Sequence, residues 1–248
     1  MPDLKISLIT VTYNAGDTIK RCIESVLAQD HCDIQYIIID GGSTDETLSI
    51  INSYKQRIQI FVSEPDKGIY DAMNKGIKFA NGDIVGTLNA DDVFAGTDVL
   101  SCVAAAFEQQ NAPIVYGNLN YINLRGDVIR RWDAGEYKKG AFNWGWMPPH
   151  PTFYCRIELF ERFGSYNIQY GTAADYELMV RFMHKNKMDA YYLNKLIIKM
   201  SLGGVSNKTF TNRLEAWKFD FKAMGNNGVF FPHLAIIFKP LRKLVQYI

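Results

Sequence analysis

Short apolar runs alternate with segments of helical periodicity over the first 110 or so residues of the chain. The runs are rich in β-branched and aliphatic residues, which predicts four buried strands, at residues 4–11, 36–39, 58–62 and 84–88. Between them, apolar residues recur every three or four positions, which predicts helices that begin near Ile19 and cover residues 46–54 and 69–80. We expect Ser43 or Thr44 to cap the second helix. Strands that alternate with helices are typical of a parallel sheet with helices on its faces.

The pattern changes after residue 112. Two stretches, 114–123 and 128–132, are joined by a polar turn and predict an antiparallel hairpin. A loop rich in Gly, Trp and Pro follows at 140–151. The remaining predicted elements are a strand-to-helix stretch, a helix and a helical, aromatic end, at residues 152–163, 174–185 and 208–248. The predicted fold is therefore α/β, with a mostly parallel central sheet flanked by helices, a small antiparallel hairpin and a helical C-terminus.

Composition narrows the class of protein. The chain has 248 residues, 48% hydrophobic and 21% charged, which suits one large α/β domain. Its 27 Lys and Arg nearly balance 26 Asp and Glu, which argues against nucleic-acid binding over the whole surface. Cysteines are scattered at positions 22, 32, 102 and 155, which favours free thiols in a reducing compartment over a disulfide framework or a zinc site. The first apolar run is too short for a signal peptide or a membrane span, so we expect a cytoplasmic protein.

Polar residues follow each of the four predicted strands. They are Thr10, Thr12, Tyr13 and Asn14 after the first strand, Asp40 after the second, Glu64, Asp66 and Lys67 after the third, and Asn89, Asp91 and Asp92 after the fourth. In an open parallel sheet, ligands bind beyond the carboxyl ends of the strands. Loops are polar in any protein, but four such strand ends, three of them acidic, predict a binding site at this edge of the sheet.

Asp91 and Asp92 form the most specific feature of this edge. Adjacent carboxylates repel each other and are costly to desolvate unless a cation lies between them and a ligand. Mg²⁺ and Mn²⁺ take oxygen ligands and link carboxylates to a diphosphate, whereas the alternative interpretation is a solvated helix cap. Asp40 precedes two glycines and could accept from a base imide or a ribose hydroxyl. The chain lacks both GxGxxG in its first turn and GxxxxGK[ST], so a metal-bridged diphosphate is the predicted way to hold a nucleotide.

Four segments resemble, in order and spacing, the motifs of the family 2 glycosyltransferases, which have the GT-A fold. They are residues 10–14 (TVTYN), 40–45 (DGGSTD), 68–76 (GIYDAMNKG) and 89–92 (NADD). Residues 172–178 (TAADYEL) more weakly resemble the acidic motif that opens the acceptor-side helix of that family. Within the family, the chain is similar to bacterial enzymes that build capsule, exopolysaccharide or O-antigen repeats, such as the colanic-acid type.

The resemblance implies inverting transfer of a sugar from a nucleotide diphosphate donor, with a leaning to UDP, to an acceptor hydroxyl, with Mn²⁺ or Mg²⁺ as cofactor. By this resemblance, the base and ribose would be held by Thr10, Thr12 and Asp40, with Asn14, Lys67, Asn74 and Asn89 completing the donor site. Asp91 would approach the ribose or the metal, Asp92 would ligate the metal, and Asp175 would be the catalytic base. The competing role of Asp175 is to cap its helix, and that of Lys67 is a solvated loop cation.

Two positions depart from the family pattern. Asn89 stands where the metal motif usually begins with Asp, so more of the metal contact falls on Asp91 and Asp92. Ala174 stands where the acceptor motif usually has an acid, so Asp175 alone would act as the base.

The acceptor side is less clearly marked. His150 lies between two prolines and is either an acceptor contact or a structural histidine. Aromatic side chains that could stack on sugar rings, or simply pack the core, are Trp132, Phe142, Trp144 and Trp146. Residues 203–206 (GGVS) are either a loop that closes over the donor or an ordinary turn. Residues 229–238 are too short to span a bilayer and could meet a membrane interface, a second copy in a homodimer, or the core.

These expectations divide the chain into a nucleotide-sugar-binding half (1–112), an acceptor-binding half of the same domain (113–205) and a helical extension (206–248). The expected partners are a nucleotide-sugar donor and a glycan or lipid-linked saccharide acceptor in bacterial surface polysaccharide synthesis. Two alternatives stay open: a sugar-phosphate nucleotidyltransferase, and a non-catalytic partner in a polysaccharide assembly complex. The first would need a basic N-terminal loop to hold a triphosphate, and residues 12–16 contain neither Lys nor Arg.

Overall fold

A mixed nine-stranded sheet forms the centre of the described part of the chain in the computed structural model, which covers residues 4–31, 33–123, 125–201, 210–244 and 246–247. The strands are β1 (Ile6–Thr12), β2 (Ile34–Asp40), β3 (Ile60–Ser63), β4 (Ile84–Asn89), β5 (Val93–Phe94), β6 (Ile114–Ile122), β7 (Val128–Trp132), β8 (Tyr154–Arg156) and β9 (Tyr191–Ser201). Their order is β3-β2-β1-β4-β8-β6-β9-β5, and β7 pairs with β6. The 203–206 loop lies outside the described residues.

Helices lie between and after these strands. They are α1 (Ile19–Leu27), α2 (Thr47–Ser53), α3 (Ile69–Phe79), α4 (Val99–Gln110), α5 (Glu158–Phe163), α6 (Ala174–Met179), α7 (Phe210–Asn226) and α8 (Pro232–Leu244). A π-helical turn, Val180–Lys185, continues α6. Short 3₁₀ segments occur at Lys55–Arg57, Ala141–Trp144, His150–Thr152 and Ile168–Ala173.

The first four strands in this order, β3, β2, β1 and β4, are all parallel. Their side chains alternate between two apolar layers, which is why each strand is a nearly continuous aliphatic run. On β1, Ile9 and Val11 pack with α3, whereas Leu8 packs with α1 and α4. The predicted α/β fold with a largely parallel sheet is therefore confirmed for this half of the molecule.

The other half of the sheet is mixed. β8 runs antiparallel to both β4 and β6, β9 runs parallel to β6, and β5 runs antiparallel to β9. The predicted hairpin is confirmed as the antiparallel pair β6–β7. β9 was not predicted, because Tyr191–Ser201 interleaves Lys and Asn with its apolar residues and is mostly half-buried. Its backbone pairing with β6 decides its conformation.

Several predicted boundaries need correction. The third strand begins at Ile60, later than predicted. Neither Ser43 nor Thr44 caps α2; the Thr47 N–H instead donates to Asp45 Oδ1 at 3.0 Å. The predicted helical end consists of two helices, α7 and α8, separated by residues 227–231.

Gly86 lies where β4 passes under the ring of Tyr154, and a Cβ at this position would overlap that ring. We expect Gly86→Ala to destabilise the protein by about 2 kcal/mol, because the buried ring has no room to move, and to lower the melting temperature by about 4–8 °C. Gly225→Ala, in an open stretch of α7, should instead raise stability by roughly 0.5–1 kcal/mol. Thermal and urea unfolding measure both changes, and equal effects would contradict the packing described for β4.

Candidate active site

The carboxyl ends of four parallel strands meet at one edge of the sheet. In register, Thr12 lies opposite Asp40, Asp40 opposite Ser63, and Val11 opposite Asn89. The Gly41 N–H donates to the Thr12 carbonyl at 2.9 Å, which continues the pairing into the loop. The polar residues predicted at these strand ends are therefore neighbours, as parallel pairing requires.

Asp40 is fully buried and its carboxylate is saturated with hydrogen bonds. Oδ2 accepts from the Gly42 and Ser43 N–H groups at 3.0 and 2.9 Å and from Ser63 Oγ at 2.7 Å. Oδ1 accepts from Ser43 Oγ at 2.5 Å. This differs from the expected contact with a base or ribose, because the oxygens are already used in holding the loop after β2.

Asn14 joins the loops after β1 and β2. Its N–H donates to Ser43 Oγ at 2.8 Å, and its side-chain Oδ1 accepts from the Thr44 N–H at 2.9 Å. A positive φ of 48° lets Asn14 reach both partners. Asn14 therefore holds these two loops together, and its contact with a donor stays a prediction.

Tyr13 lies beside Asn14 with 64% of its surface exposed, and its ring is next to Gly41. A Cβ at Gly41 would lie 2.5 Å from Asp66 Oδ2, so the Asp66 side chain would have to move. The exposed ring offers an apolar face at the edge of the sheet. The sequence placed Tyr13 among the polar residues after the first strand but predicted no individual role for it.

The two threonines of β1 have different surroundings. Thr10 is fully buried, and its hydroxyl lies 3.2 Å from the Tyr36 hydroxyl inside the core. It therefore does not reach the edge where a nucleotide would bind, contrary to expectation. Thr12 Oγ1 is buried and has no hydrogen-bond partner among the described residues, so it remains available to a ligand.

Asp91 and Asp92 follow β4 and differ in burial. Asp92 is fully buried, and among the described residues its carboxylate accepts two long hydrogen bonds, from the Ser201 N–H at 3.3 Å and from Asn89 Nδ2 at 3.4 Å. Burial raises the pKa of Asp92 well above its usual value, and the charge of Asp91 raises it further. Burial also raises the pKa of the half-buried Asp91. The pair is thus two desolvated acids with little compensation.

Asn89 supplies a third oxygen near this pair. Its Oδ1 is buried and has no partner within the described ranges. Over those same residues, no group of three or more His, Cys, Asp or Glu side chains is placed to hold a metal ion. Two carboxylates and an amide oxygen nevertheless form a set of hard ligands that suits Mg²⁺ or Mn²⁺. The residues present therefore fit a divalent cation.

Lys67 and Asn74 were expected to contact the donor. Lys67 is exposed in the loop before α3, where its N–H donates to Asp71 Oδ2 at 3.0 Å. Asn74 instead pairs with the backbone of Tyr166: its Nδ2 donates to the carbonyl at 2.8 Å, and its Oδ1 accepts from the N–H at 2.9 Å. Asn74 therefore ties α3 to the segment before α6 rather than facing a ligand.

Asp175 lies half-buried in the first turn of α6. Ala173, not Asp175, occupies the N-cap position, but Asp175 Oδ1 accepts from the first-turn N–H of Tyr176 at 2.7 Å and so satisfies one free amide of the helix. Burial raises the pKa of Tyr70 well above its usual value, and the nearby charge of Asp175 raises it further. Tyr70 and Tyr166 lie with ring centroids 5.5 Å apart.

His150 completes this group of side chains. Its Nε2 is 2.8 Å from the Tyr166 hydroxyl, and the imidazole is almost fully buried. Burial lowers the pKa of His150 below 6.5, and the charge of Asp175 acts in the opposite direction. We call Tyr70, His150, Tyr166 and Asp175 the base cluster. Neither tyrosine was predicted from the sequence: Tyr70 falls within a family-like segment without being singled out, and Tyr166 has no local signal.

The base cluster and the polar strand ends share one face of β4. The Tyr166 hydroxyl lies beside the Thr87 side chain, which tends to lower the otherwise raised pKa of Tyr166. Thr87 and Asn89 are two residues apart on a strand and so point to the same face. The structure thereby brings the region of Asn89 and that of Asp175 to the same side of the sheet.

Trp146 does not belong to this site. Its indole N–H donates to the Ala134 carbonyl at 2.9 Å, and its ring packs with Tyr116, Tyr137 and Phe142. The expected stacking on an acceptor sugar is therefore not available to Trp146, because its ring fills the core. Trp144 is 53% exposed, but it packs beside Phe238 on the C-terminal helix.

Comparison with known proteins now decides the family. The model of glycosyl transferase family 2 matches residues 7–165. The chain belongs to this family. The predicted membership is confirmed, and the protein is a glycosyltransferase.

Relatives and solved structures agree with this assignment. A PGL/p-HBAD biosynthesis glycosyltransferase of Mycobacterium bovis is 31% identical over 217 residues, which are 84% of this chain and 83% of the relative. S. aureus TarS 1-349 in complex with UDP-GlcNAc superposes with a TM-score of 0.68 at 16% identity, over 90% of this chain and 66% of that one.

Mannosyltransferase PcManGT from Pyrobaculum calidifontis, in complex with GDP-Man and Mn²⁺, also has a TM-score of 0.68, at 15% identity over 96% of this chain and 72% of that one. These likenesses confirm the GT-A fold. Among the described helices, none combines the length and apolar content needed to cross a membrane.

The position of Asp175 beside His150 can be tested without any substrate. Because the carboxylate charge counteracts the effect of burial, we expect Asp175→Asn to lower the pKa of His150 further, as followed by NMR titration of the imidazole. Asp189→Asn, which removes an exposed carboxylate elsewhere, should leave that pKa unchanged. An unaltered titration in Asp175→Asn would place the carboxylate away from the imidazole.

Proposed function

We propose that this protein transfers a sugar from a nucleotide diphosphate donor, of the UDP-sugar type, to a hydroxyl of a glycan or lipid-linked saccharide, with inversion at the anomeric carbon. The observation that carries the proposal is the half-buried Asp175 carboxylate in the base cluster, which lies on the face of β4 that leads to Asn89 and Asp91. Inverting transfer needs a group that takes the proton of the acceptor hydroxyl on the side opposite the diphosphate. Asp175 supplies the carboxylate in the base cluster.

On the donor side, we assign the nucleotide to the edge formed by the loops after β1 and β2. Tyr13 offers an exposed ring for stacking on the base, and the unpartnered Thr12 hydroxyl offers a polar contact. Asp40 and Asn14 act indirectly, because they hold these loops in place. The complexes of TarS with UDP-GlcNAc and of PcManGT with GDP-Man support a nucleotide-sugar donor.

For the diphosphate, we assign Asp91, Asp92 and Asn89 as the ligands of Mg²⁺ or Mn²⁺. A divalent cation bound there would neutralise charge on the departing diphosphate without proton movement. The exposed Lys67 could supply a further positive charge. The Mn²⁺ in the PcManGT complex supports this choice of cofactor.

On the acceptor side, the hydroxyl attacks the anomeric carbon from the face opposite the diphosphate. The acceptor oxygen forms the new glycosidic bond, its proton passes to the Asp175 carboxylate, and the bond to the diphosphate oxygen breaks. His150 and Tyr166 act as positioning residues, since they pack beside Asp175 and are themselves fixed to each other. The name of the mycobacterial relative, which concerns PGL/p-HBAD biosynthesis, supports a glycoconjugate acceptor.

Replacing the base tests the mechanism. We expect Asp175→Asn to lower the transfer rate by about 10²–10⁴-fold, because the amide cannot take the proton of the acceptor hydroxyl. UDP binding, measured by calorimetry, should stay within about twofold of the wild type, because Asp175 lies on the acceptor side. Asp189→Asn serves as the matched control with unchanged rate. Retention of most turnover in Asp175→Asn would assign the base elsewhere.

Replacing a metal ligand tests the donor site. In the wild type we expect Mn²⁺ to strengthen UDP binding, and in Asp92→Ala we expect that gain to fall by at least about tenfold, since a charged ligand is lost. Asn89→Asp adds a carboxylate to the metal ligands and should increase the effect of Mn²⁺ on UDP affinity. Asp98→Asn, at an exposed ion pair with Lys195, is the control. Calorimetry measures the UDP affinity of each variant with Mn²⁺ and with EDTA. Equal UDP affinity of the wild type under the two conditions would refute the metal assignment.

A further inference from the structure

The C-terminal helix α8 and the two residues before it carry a row of exposed apolar side chains. Phe230, Phe231, Leu234, Ile237 and Leu241 are 79%, 59%, 44%, 57% and 49% exposed. From Leu234 the spacing of three and four residues places them on one face of the helix. We call these five residues the apolar stripe. So many large apolar groups exposed together mark an interaction surface.

The opposite face of α8 is already packed, so the stripe is not an unfinished part of the core. Ala235 is fully buried, and Lys239 pairs with Asp220 at 2.7 Å. The Arg242 Nε donates to the Trp144 carbonyl at 2.9 Å, and the Phe230 N–H donates to Asn143 Oδ1 at 2.9 Å. These contacts hold the helix in place with the stripe facing outward.

A basic groove of about 300 Å³ runs between β7 and α8. Its charged lining consists of Arg131, Lys239 and Arg242, with one carboxylate, Asp133. Among the described residues, Arg242 donates one guanidinium N–H, to the Trp144 carbonyl, and its other N–H groups are donors suited to an anion. Because Lys239 is already paired with Asp220, the positive charge that the groove places beside the apolar stripe comes from Arg131 and Arg242.

Charge is distributed unevenly along the whole chain. Residues 206–248 contain seven Lys and Arg against two Asp and Glu, whereas residues 1–205 contain 20 against 24. The C-terminal segment thus carries a net charge of +5 and the rest carries −4. A symmetric contact between two copies through this segment would bring like charges together, whereas an anionic surface would complement it.

We propose that the apolar stripe and the basic groove dock the protein on an anionic phospholipid bilayer. The apolar side chains enter the interface between headgroups and acyl chains, and the groove accepts lipid phosphates. This inference rests on the proposed function. It narrows the acceptor to a lipid-linked saccharide rather than a free glycan.

The C-terminal helices also contact the segment that leads into Asp175. Phe219 of α7 packs against Gly171, and Lys222 lies 5.2 Å from the centre of the Tyr170 ring. Lys239 of α8 lies 3.8 Å from the centre of the Tyr176 ring, next to Asp175 in the chain. Docking through α8 would therefore hold the base cluster close to the bilayer surface.

Vesicle binding tests the proposal directly, without donor or acceptor. We expect the full chain to cosediment with vesicles of phosphatidylcholine containing phosphatidylglycerol, and to bind pure phosphatidylcholine at least about tenfold more weakly. Phe230→Ser with Ile237→Ser should weaken binding to the anionic vesicles by at least about tenfold, because apolar area is withdrawn from the interface. Arg242→Gln should weaken it by about fivefold, since one cation near the surface is lost.

Matched controls separate docking from folding and from catalysis. Phe79→Ser removes an aromatic ring that is 44% exposed on α3, and Arg125→Gln removes an exposed cation from the β6–β7 turn. Both should bind vesicles like the wild type. UDP binding should be unchanged in all four variants, so loss of docking is distinguished from failure of the proposed function. Equal vesicle binding by the stripe variant and the wild type overturns the proposal, as does a dimer in solution that the stripe variant abolishes.

Discussion

Parallel pairing of β3, β2, β1 and β4 is the constraint on which the rest of this structure depends. Such strands are covered on both faces, so their interiors must be apolar and their polar residues are confined to the ends. In-register pairing then places Ser63, Asp40, Thr12 and Asn89 along one edge. A binding site is expected at this edge because the polar groups beyond the carboxyl ends of the strands can contact a ligand.

Two carboxylates at this edge are equally buried but differ in their hydrogen bonds, so burial alone does not determine the role of either side chain. Asp40 and Asp92 are both fully buried. Within the described ranges, Asp40 receives four hydrogen bonds of 2.5–3.0 Å from its own loop and from Ser63, whereas Asp92 receives two of 3.3 and 3.4 Å. A saturated acid stabilises local structure, and an under-satisfied acid retains affinity for a cation. The difference lies in the neighbouring donors rather than in the acid.

Features that depend on local periodicity and motif order could be predicted from the sequence. The four aliphatic strands, the β6–β7 hairpin and the family emerged from adjacent residues, and the structure and the family match confirmed them. Side-chain roles were harder to predict, because they depend on partners distant in the chain. Asn74 is engaged by Tyr166, 92 residues away, and Trp146 bonds to Ala134 within an aromatic core. Strand β9 was missed for the same reason, since its pairing with β6 outweighs its mixed composition.

The hydrogen-bonded pair between Asn74 and the Tyr166 backbone has a consequence for how the enzyme evolves. It ties α3 to the segment that leads into α6, so the spacing between these two elements is fixed when the protein folds. Loops on either side can then change to admit new sugars or new acceptors while that spacing persists. A single scaffold could diversify its products in this way without having to rebuild the alignment of nucleophile and leaving group each time.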